Sequence, residues 1–310
     1  MIKKYFDQAY QDIKNIKSTH KVDYTNRLVK ALSIPEFSKA YEEREKIAMQ
    51  IDKNSKLGIE DSSLICKRKV QSKILFDLIK SNNLDLTIHH SCPKCKDNGV
   101  VNNKYCSCVI DRYIEYLKAN SNIYPKYKTA SLDLMPKDVN LYPQIEVFNI
   151  ITNILDQTLF NDFNSDKPLV FLLSGDVGVG KTYFASAVAN KLMDKAISSA
   201  YISSNELAEN IVNKQFNKEY NSSLYNYLFE TECLIIDDLG TENNINSITL
   251  PAILSIIDSR INNNLVTFVT TNVKIDNISK IYGERLASRL LDNNYSICPK
   301  YIIGKNFRSK

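Results

Sequence analysis

Apolar residues recur at helical spacing among Lys, Glu and Asp through roughly the first 90 positions of the chain. The stripes include Ile13, Ile16, Ile47, Ile51, Leu75, Leu78 and Ile79. Apolar positions three and four residues apart predict helices with one buried face. We therefore expect residues 1 to about 90 to be helical.

A different pattern begins after residue 120, where short, continuous apolar runs alternate with helix-length segments. The runs lie at residues 169–173, 199–202, 234–236 and 266–269. A short run that is apolar at every position is typical of a strand buried on both faces of a parallel sheet. The alternation therefore predicts an α/β fold, a parallel αβα sandwich.

A polar stretch closed by proline separates these two patterns. An amphipathic piece at residues 113–117 is followed by residues 119–125, which are mostly polar and end in Pro125. The residue before proline disfavours helix, so this stretch is typical of a linker. We predict two domains, residues 1–118 and 119–310, which a chain of 310 residues accommodates.

Composition and charge narrow the class of protein. Charged residues make up 24% of the chain, and no run of about 18 apolar residues is long enough to cross a membrane. The charged first residues lack the apolar core of a secretory signal, so we expect a cytoplasmic protein without a membrane partner. A net charge of +5 is low for a protein that binds duplex DNA stably, but it permits transient contact with single-stranded DNA.

A complete phosphate-binding motif follows the apolar run at 169–173. Its sequence, GDVGVGKT, matches G-x-x-x-x-G-K-[ST]. The glycines let backbone N–H groups approach phosphate closely, Lys181 is predicted to reach the β- and γ-phosphates, and Thr182 to ligate Mg²⁺. The predicted nucleotide-binding residues of this loop are Gly175, Asp176, Val177, Gly178, Val179, Gly180, Lys181 and Thr182.

Polar side chains follow two of the other predicted strands. Asp237 is predicted to hold Mg²⁺ and Asp238 to orient the attacking water, although acids at strand ends also cap helices. Asn272 ends the strand at 265–271 and is predicted to hydrogen-bond the γ-phosphate or the attacking water; a simple turn is the alternative. Because parallel strands end at one edge of a sheet, we expect these groups to lie together.

Arginine is scarce, at eight of the 40 basic residues, so an Arg indicates a need for a planar guanidinium. Arg285 and Arg289 are four residues apart on one helix face, and one is predicted to act on the nucleotide of a neighbouring subunit. Pairing with surface acids is the alternative. Arg308 is predicted to contact the nucleotide of its own subunit; a frayed terminal residue without a role is the alternative. Arg260 lies at the end of a predicted helix. A favourable interaction of its charge with the helix dipole explains an arginine there as well as a role in the site does.

Four of the seven cysteines form the pattern C-x₂-C-x₁₀-C-x-C. Four thiolates on two tight turns favour a structural, tetrahedral Zn²⁺ site, with free or redox-active thiols as the alternative. The predicted ligands are Cys92, Cys95, Cys106 and Cys108, with His89 or His90 as a replacement for one thiolate. The remaining Cys66, Cys233 and Cys298 are interpreted as small core residues.

These motifs resemble the bacterial replicative helicase loaders of the DnaC/DnaI type, which are AAA+ ATPases. The resemblance covers about residues 90–310 and rests on residues 122–127, 175–182, 234–242, 270–272 and 283–290. It implies a C-terminal P-loop AAA+ αβα sandwich without a separate lid domain. A mostly helical, zinc-binding N-terminal domain that docks the helicase would precede it. The implied cofactors are ATP, Mg²⁺ and Zn²⁺.

The same resemblance implies roles for particular residues and partners. Arg289 matches the arginine finger, with Arg285 one turn before it, and Arg308 matches the C-terminal sensor arginine. The implied partners are a hexameric replicative DNA helicase, further copies of the chain in a ring or spiral, and weakly bound, ATP-dependent single-stranded DNA. The DNA region would contain Lys214, Phe216, Lys218 and Tyr220, although core packing explains the two aromatic residues equally well.

The predicted function is ATP-dependent loading of the replicative helicase onto single-stranded DNA during replication initiation or restart, that is, primosome assembly. An IstB-type transposition helper is one alternative, against which the cysteine cluster argues. A nucleotide-binding adaptor with negligible hydrolysis is another, because Asp238 stands where a Glu is usual. A small-molecule kinase is disfavoured because kinases do not require the acid pair, Asn272 and the two arginines as a set.

Overall fold

The computed structural model describes residues 2–59, 61–160, 170–216, 223–242, 248–298 and 300–308. Backbone contacts divide the chain into two units, Tyr10–Val109 and Met1–Ala9 with Ile110–Lys310. Within the described ranges, no helix combines the length and apolar character needed to span a bilayer.

The unit Tyr10–Val109 is helical and ends in the cysteine-rich region. Its helices are α1 (Ile2–Leu32, whose first turns belong to the other unit), α2 (Pro35–Lys56) and α3 (Ser62–Ser81). Phe37 and Ala40 of α2 pack with Leu75 of α3 in a small core. A two-stranded antiparallel ladder, β1 (Val100–Val101) with β2 (Lys104–Tyr105), lies between the two pairs of cysteines. The predicted helical N-terminal region is confirmed.

The other unit contains a five-stranded parallel sheet in the order β4-β5-β6-β3-β7. The strands are β3 (Val170–Ser174), β4 (Ser199–Ser203), β5 (Cys233–Leu239), β6 (Val266–Thr271) and β7 (Ser296–Ile297). The predicted parallel α/β fold is confirmed, and four strands coincide with the predicted apolar runs. Leu169, the first residue of the first run, lies outside the described residues. β7 is only two residues long and was not predicted from the sequence.

Helices precede the first strand of this sheet and connect the later strands. They are α4 (Ser107–Ala119), α5 (Gln144–Leu155), α6 (Lys181–Asp194), α7 (Ser204–Phe216), α8 (Ser223–Glu230), α9 (Thr249–Asn262) and α10 (Ile275–Leu291). α10 is interrupted at Gly283, whose φ of 76° is not helical. The sheet core is closely packed, because Phe171 of β3 and Phe268 of β6 are fully buried and their rings stack at 4.5 Å. The parallel pairing of β6 with both β3 and β5 places the ends of these three strands side by side.

Two interpretations of single residues change in the structure. Arg260 is fully buried, and its guanidinium donates to the carbonyl oxygens of Leu228 and Thr231, both at 2.8 Å, and to Thr267 Oγ1 at 2.9 Å. Arg260 therefore stabilises the fold through buried hydrogen bonds. This role explains the arginine better than an interaction with the helix dipole. Cys66 is exposed, so its interpretation as a core residue was wrong.

Candidate nucleotide-binding and metal sites

The predicted phosphate loop connects β3 to α6 and depends on its glycines. Gly178 and Gly180 have φ of 83° and 99°, values that residues with a Cβ rarely adopt. A Cβ at Gly178 would overlap the Asn306 side chain, and one at Gly175 would lie 2.5 Å from the Ile302 carbonyl oxygen. The loop conformation therefore requires glycine on two grounds, dihedral angles and space.

Lys181 begins α6 and joins the loop to β6. Its Nζ donates to the carbonyl oxygens of Gly175 at 2.8 Å and Asp176 at 2.7 Å, and to Asn272 Oδ1 at 2.8 Å. Burial lowers the pKa of Lys181 to about 8, against the opposing effect of Asp238 and other nearby carboxylates. The structure thus brings together the loop lysine and the asparagine that the sequence analysis placed at the same edge.

Asp237 lies beside the loop threonine. Its Oδ1 accepts hydrogen bonds from Thr182 Oγ1 at 3.0 Å and from Thr270 Oγ1 at 2.5 Å, while its Oδ2 accepts one from the Tyr201 hydroxyl. The Asp237 side chain is almost fully buried. A hydroxyl and a carboxylate are hard oxygen ligands of the kind that Mg²⁺ prefers, so Thr182 and Asp237 fit the predicted metal role.

Asp238 occupies a left-handed conformation, with φ of 56°, where the register between β5 and β6 shifts. Asp tolerates this conformation better than most residues. Its N–H donates to Thr270 Oγ1 at 2.9 Å, and its carbonyl oxygen accepts from Ser204 Oγ at 2.8 Å. Burial, followed by the charge of Asp237, raises the pKa of the Asp238 carboxyl. These contacts leave the carboxyl group in the wall of a cavity.

That cavity has a volume of about 340 Å³, within the range of small-molecule sites. The predicted site residues in its wall are Val177, Gly178, Gly180, Lys181, Thr182, Asp238, Asn272 and Arg308. The remaining wall residues were not predicted from the sequence and are Tyr127, Leu134, Met135, Pro136, Tyr183 and Phe307. Charged and amide groups therefore share the cavity with aromatic and apolar side chains, which suits a ligand with both phosphate and a flat ring.

The C-terminal residues reach the cavity because they pack along the loop. Ile302 pairs with Gly175, and the Phe307 N–H donates to the Gly178 carbonyl oxygen at 2.9 Å. Gln144 is buried, and its carboxamide donates to the Lys305 carbonyl oxygen at 2.8 Å and accepts from the Lys305 N–H at 3.2 Å. These contacts place Arg308 in the cavity wall.

Arg285 and Arg289 are exposed on the part of α10 that follows Gly283. Arg289 Nε donates to Asp258 Oδ1 at 2.5 Å, so the surface ion pair considered as an alternative does form. Neither arginine is in the wall of the cavity. Their predicted action on a neighbouring subunit stays a prediction.

The region predicted to contact single-stranded DNA is only partly described. Phe216 is 69% exposed, so the alternative that it is a core residue was wrong. Lys214 Nζ lies 3.6 Å from the centroid of the Tyr225 ring. Lys218 and Tyr220 lie outside the described residues.

The four cysteines of the predicted zinc site come together, with all sulfur atoms within 4.8 Å of one another. Cys92 Sγ lies 3.7 Å from Cys106 Sγ, and Cys95 Sγ lies 3.6 Å from Cys108 Sγ. Four sulfurs at about 2.3 Å from a tetrahedral Zn²⁺ lie about 3.8 Å apart, so the spacing fits this ion. The Gly99 N–H donates to Cys95 Sγ at 3.3 Å, and φ of 74° at Gly99 permits the tight turn.

Neither neighbouring histidine joins this cluster. His89 Nε2 lies 3.0 Å from Asp85 Oδ2, and His90 Nδ1 lies 3.6 Å from Asp97 Oδ2. Asp97 is buried, accepts the Cys92 N–H at 2.8 Å and contacts His20 Nδ1 at 3.0 Å. Sequence spacing gave no signal for Asp97, which holds the first cysteine turn through the backbone.

The fold and the cavity define a P-loop nucleotide-binding protein: a glycine-rich loop, an acid pair and an asparagine meet where the parallel strands end. The IstB-like ATP binding protein family model matches residues 150–309, more than half of the chain, and the chain belongs to this family.

Similarity to named proteins extends beyond that family region. The chain is 23% identical over 304 residues to the replicative helicase loader DnaI of Bacillus subtilis (strain 168), covering 88% of this chain and 95% of that protein. It is 28% identical over 123 residues to the replicative helicase loader DnaC of Escherichia coli (strain K12), covering 39% of this chain and about half (49%) of that protein.

Solved structures with a similar fold include a crystal structure of DnaI, with a TM-score of 0.46 and 22% identity, covering 61% of this chain and 98% of that chain. Another is a crystal structure of the DnaC helicase loader, with a TM-score of 0.48 and 22% identity, covering 57% of this chain and 100% of that chain.

Proposed function

We propose that this protein is an ATP-dependent loader of the replicative DNA helicase, which it places on single-stranded DNA during replication initiation or restart. The observation that carries the ATP-driven part is the convergence of Lys181, Thr182, Asp237 and Asn272 at one edge of the sheet. The loader part is supported by similarity to DnaI over 304 residues, a length that includes both the cysteine cluster and the phosphate loop.

Nucleotide binding uses groups that already point toward one another. The loop places its backbone N–H groups at the N-terminus of α6, which favours the negative charge of phosphate. The Lys181 ammonium supplies a positive charge in a buried setting, where its attraction to phosphate is weakly screened. Thr182 and Asp237 would hold Mg²⁺, and the aromatic and apolar part of the cavity wall, which includes Tyr127, would hold the base.

Hydrolysis uses Asp238 and Asn272. Asp238 is in the cavity wall, and its raised pKa makes the ionised carboxylate a stronger proton acceptor than an exposed Asp. Asn272 fixes the Lys181 ammonium and offers an amide to the attacking water. In an assembled ring or spiral, Arg289 of one copy completes the site of the next, and Arg308 acts within its own copy. Phosphate release then shifts the balance between helicase-holding and helicase-releasing states.

The test is a binding experiment with the full-length protein immobilised and the replicative helicase of the same cell offered with ATP or with ADP. We expect the helicase to be retained by the wild type and released more readily with ADP. Replacement of two zinc ligands, Cys92→Ser with Cys95→Ser, is expected to abolish retention. The matched Cys66→Ser variant, which changes an exposed cysteine outside the cluster, is expected to retain the helicase normally.

Two outcomes would favour a function other than ATP-dependent helicase loading. A wild-type protein that ignores the helicase but binds and distorts duplex DNA with ATP would favour the IstB-type transposition helper, a role suggested by the family that matches residues 150–309. Unchanged helicase binding and unchanged ATP turnover in Asp238→Asn would favour the adaptor with negligible hydrolysis. Loss of turnover in Asp238→Asn with nucleotide binding retained supports the working ATPase.

A further inference from the structure

We propose that Tyr201 positions the Asp237 carboxylate and connects it to residues 120–124, so that this segment responds when a magnesium–nucleotide complex binds. The inference rests on the proposed function through one step, the assignment of Asp237 to Mg²⁺. It adds a positioning residue and a route by which the site acts on the part of the chain that follows the cysteine region.

The first contact is between the Tyr201 hydroxyl and Asp237. Tyr201 lies on β4 and is 2% exposed, and its hydroxyl donates to Asp237 Oδ2. The other oxygen, Oδ1, accepts from Thr182 and Thr270. Tyr201 therefore donates a hydrogen bond to this second oxygen, and with donors on both oxygens the carboxylate cannot rotate freely. A carboxylate held in this way presents fixed lone pairs to a metal ion.

The second contact joins the same tyrosine to residues 120–124. The Tyr201 N–H donates to the Ser121 carbonyl oxygen at 3.0 Å. The Tyr124 ring packs edge-on against the Tyr201 ring, with the centroids 5.3 Å apart and an interplanar angle of 67°. Ser121 and Ile123 are both 2% exposed, so alternate residues of the segment are buried. One residue thus contacts the magnesium-binding acid with its hydroxyl and this segment with its ring and backbone.

The position of β4 explains why this connection is available. β4 is the edge strand of the sheet, so one side of its backbone is free to bond residues outside the sheet. Residues 120–124 occupy that side through Ser121. They follow α4 directly, and α4 begins between Cys106 and Cys108. The segment therefore lies in the stretch of chain between the cysteine region and the first strand of the sheet.

Metal binding at Asp237 is expected to affect residues 120–124 through Tyr201. A metal ion held by Thr182 and Asp237 would restrain the Asp237 carboxylate further in the orientation that its hydrogen bonds give it, and the hydrogen bond from Tyr201 would restrain the Tyr201 ring with it. Because the Tyr124 ring packs against Tyr201, residues 120–124 become less mobile. Loss of the hydroxyl leaves the nucleotide cavity intact but removes the hydrogen bond that holds Asp237 Oδ2, and with it the restraint on the segment.

The first experiment titrates Mg²⁺ against a fluorescent nucleotide in wild type, Tyr201→Phe and Tyr225→Phe. Tyr225 is a matched control because it is a buried tyrosine of the same unit that contacts Lys214 instead of Asp237. We expect Tyr201→Phe to raise the Mg²⁺ midpoint about tenfold or more, as the loss of groups that hold metal ligands does. Magnesium-free nucleotide binding should stay within about twofold of the wild type, which also shows that the variant is folded.

The second experiment measures hydrogen exchange in peptides that cover residues 119–124, with and without saturating magnesium and a non-hydrolysable nucleotide. We expect slower exchange on binding in the wild type and in Tyr124→Phe, which keeps the ring. The slowing should disappear in Tyr201→Phe and in Tyr124→Ala, even though both bind nucleotide at saturation.

The outcomes separate this inference from the proposed function. A wild-type protein that does not bind nucleotide with magnesium overturns the proposed function. A wild type that binds, with Tyr201→Phe showing the same Mg²⁺ midpoint or the same slowing of exchange, overturns only the role of Tyr201. Tyr124→Ala with an unchanged slowing overturns the connection to residues 120–124.

Discussion

Lys181 Nζ and Asn272 Oδ1 lie 2.8 Å apart, although 91 residues separate them in the chain. The lysine begins the helix after the phosphate loop, and the asparagine directly follows β6. β3 and β6 are adjacent and parallel, with Ser174 opposite Thr271, so the loop after one strand faces the residue after the other. This register determines the geometry of the site, because it places the Asn272 side-chain amide next to Lys181, the predicted phosphate-binding lysine.

Asn272→Ala removes that amide. We expect ATP turnover to fall about 100-fold, the size of effect seen when one polar group is removed from a preorganised site. Nucleotide binding should weaken far less, since the loop backbone and Lys181 remain. Steady-state turnover and fluorescent-nucleotide binding measure the two effects. Asn262→Ala, at an exposed asparagine that ends α9, is the control and should match the wild type. Equal turnover in Asn272→Ala and the control would contradict the assigned role.

Nucleotide affinity should depend on pH through Lys181. Burial lowers its pKa to about 8, so the ammonium that attracts phosphate is present below this pH and is lost as the pH rises through it. We expect the dissociation constant for nucleotide to rise about tenfold per pH unit above the midpoint, the limit for one linked proton. Titrations between pH 7 and pH 9.5 check this.

The comparison variant for that titration is Lys181→Arg, whose guanidinium keeps its charge over the whole range. Its affinity is expected to be lower than that of the wild type but independent of pH. A wild-type affinity that does not change up to pH 9.5 would rule out a titrating Lys181.

Arg289 is expected to act on the nucleotide of the next copy. In the single chain it pairs with Asp258, and its side chain is 45% exposed, which leaves it accessible to a neighbour. Arg289→Ala should bind nucleotide normally and lose turnover in assemblies. Lys181→Ala should lose turnover because it lacks the loop lysine.

A mixture of these two inactive variants gives the decisive comparison. If Arg289 acts between copies, some interfaces in the mixture combine an intact loop with an intact Arg289, and turnover should recover. If turnover stays absent in mixed assemblies, or if the Arg289→Ala defect is equally large in dilute monomer, Arg289 does not act on the nucleotide of a neighbouring copy.

The cysteine cluster should bind about one zinc ion per chain, because four thiolates form a closed tetrahedral shell. Cys95→Ser is expected to lose the ion and to destabilise the surrounding region, since metal binding and folding are linked in such sites. Elemental analysis and thermal unfolding measure these effects. Cys66→Ser should keep both zinc content and stability. Full zinc content in Cys95→Ser would exclude that thiol as a ligand.

The parts of the site that are local in the chain could be predicted from sequence. The loop at residues 175–182 carries its own chemistry, and the spacing of the cysteines determines which sulfurs can meet. The edge shared by Asp237 and Asn272 was also predictable, because parallel strands end on one side of a sheet.

The contacts missed by sequence analysis join residues that no motif connects. Gln144 holds the Lys305 peptide group, and Tyr201 holds Asp237, across 161 and 36 residues of chain. Arg260 carries a charge that predicts exposure, yet several backbone carbonyl oxygens take up its hydrogen bonds inside the fold. Tertiary packing alone decides these pairings, so pattern and spacing do not reveal them.

The most direct test of the loader function is to follow transfer of the replicative helicase to circular single-stranded DNA, with the wild type or Lys181→Ala and with ATP present. The account predicts that wild-type protein leaves helicase stably on the DNA and supports unwinding of an annealed strand. Lys181→Ala is predicted to bind the helicase without transferring it. Equal transfer by Lys181→Ala at limiting ATP, or no transfer by the wild type, would contradict ATP-dependent helicase loading.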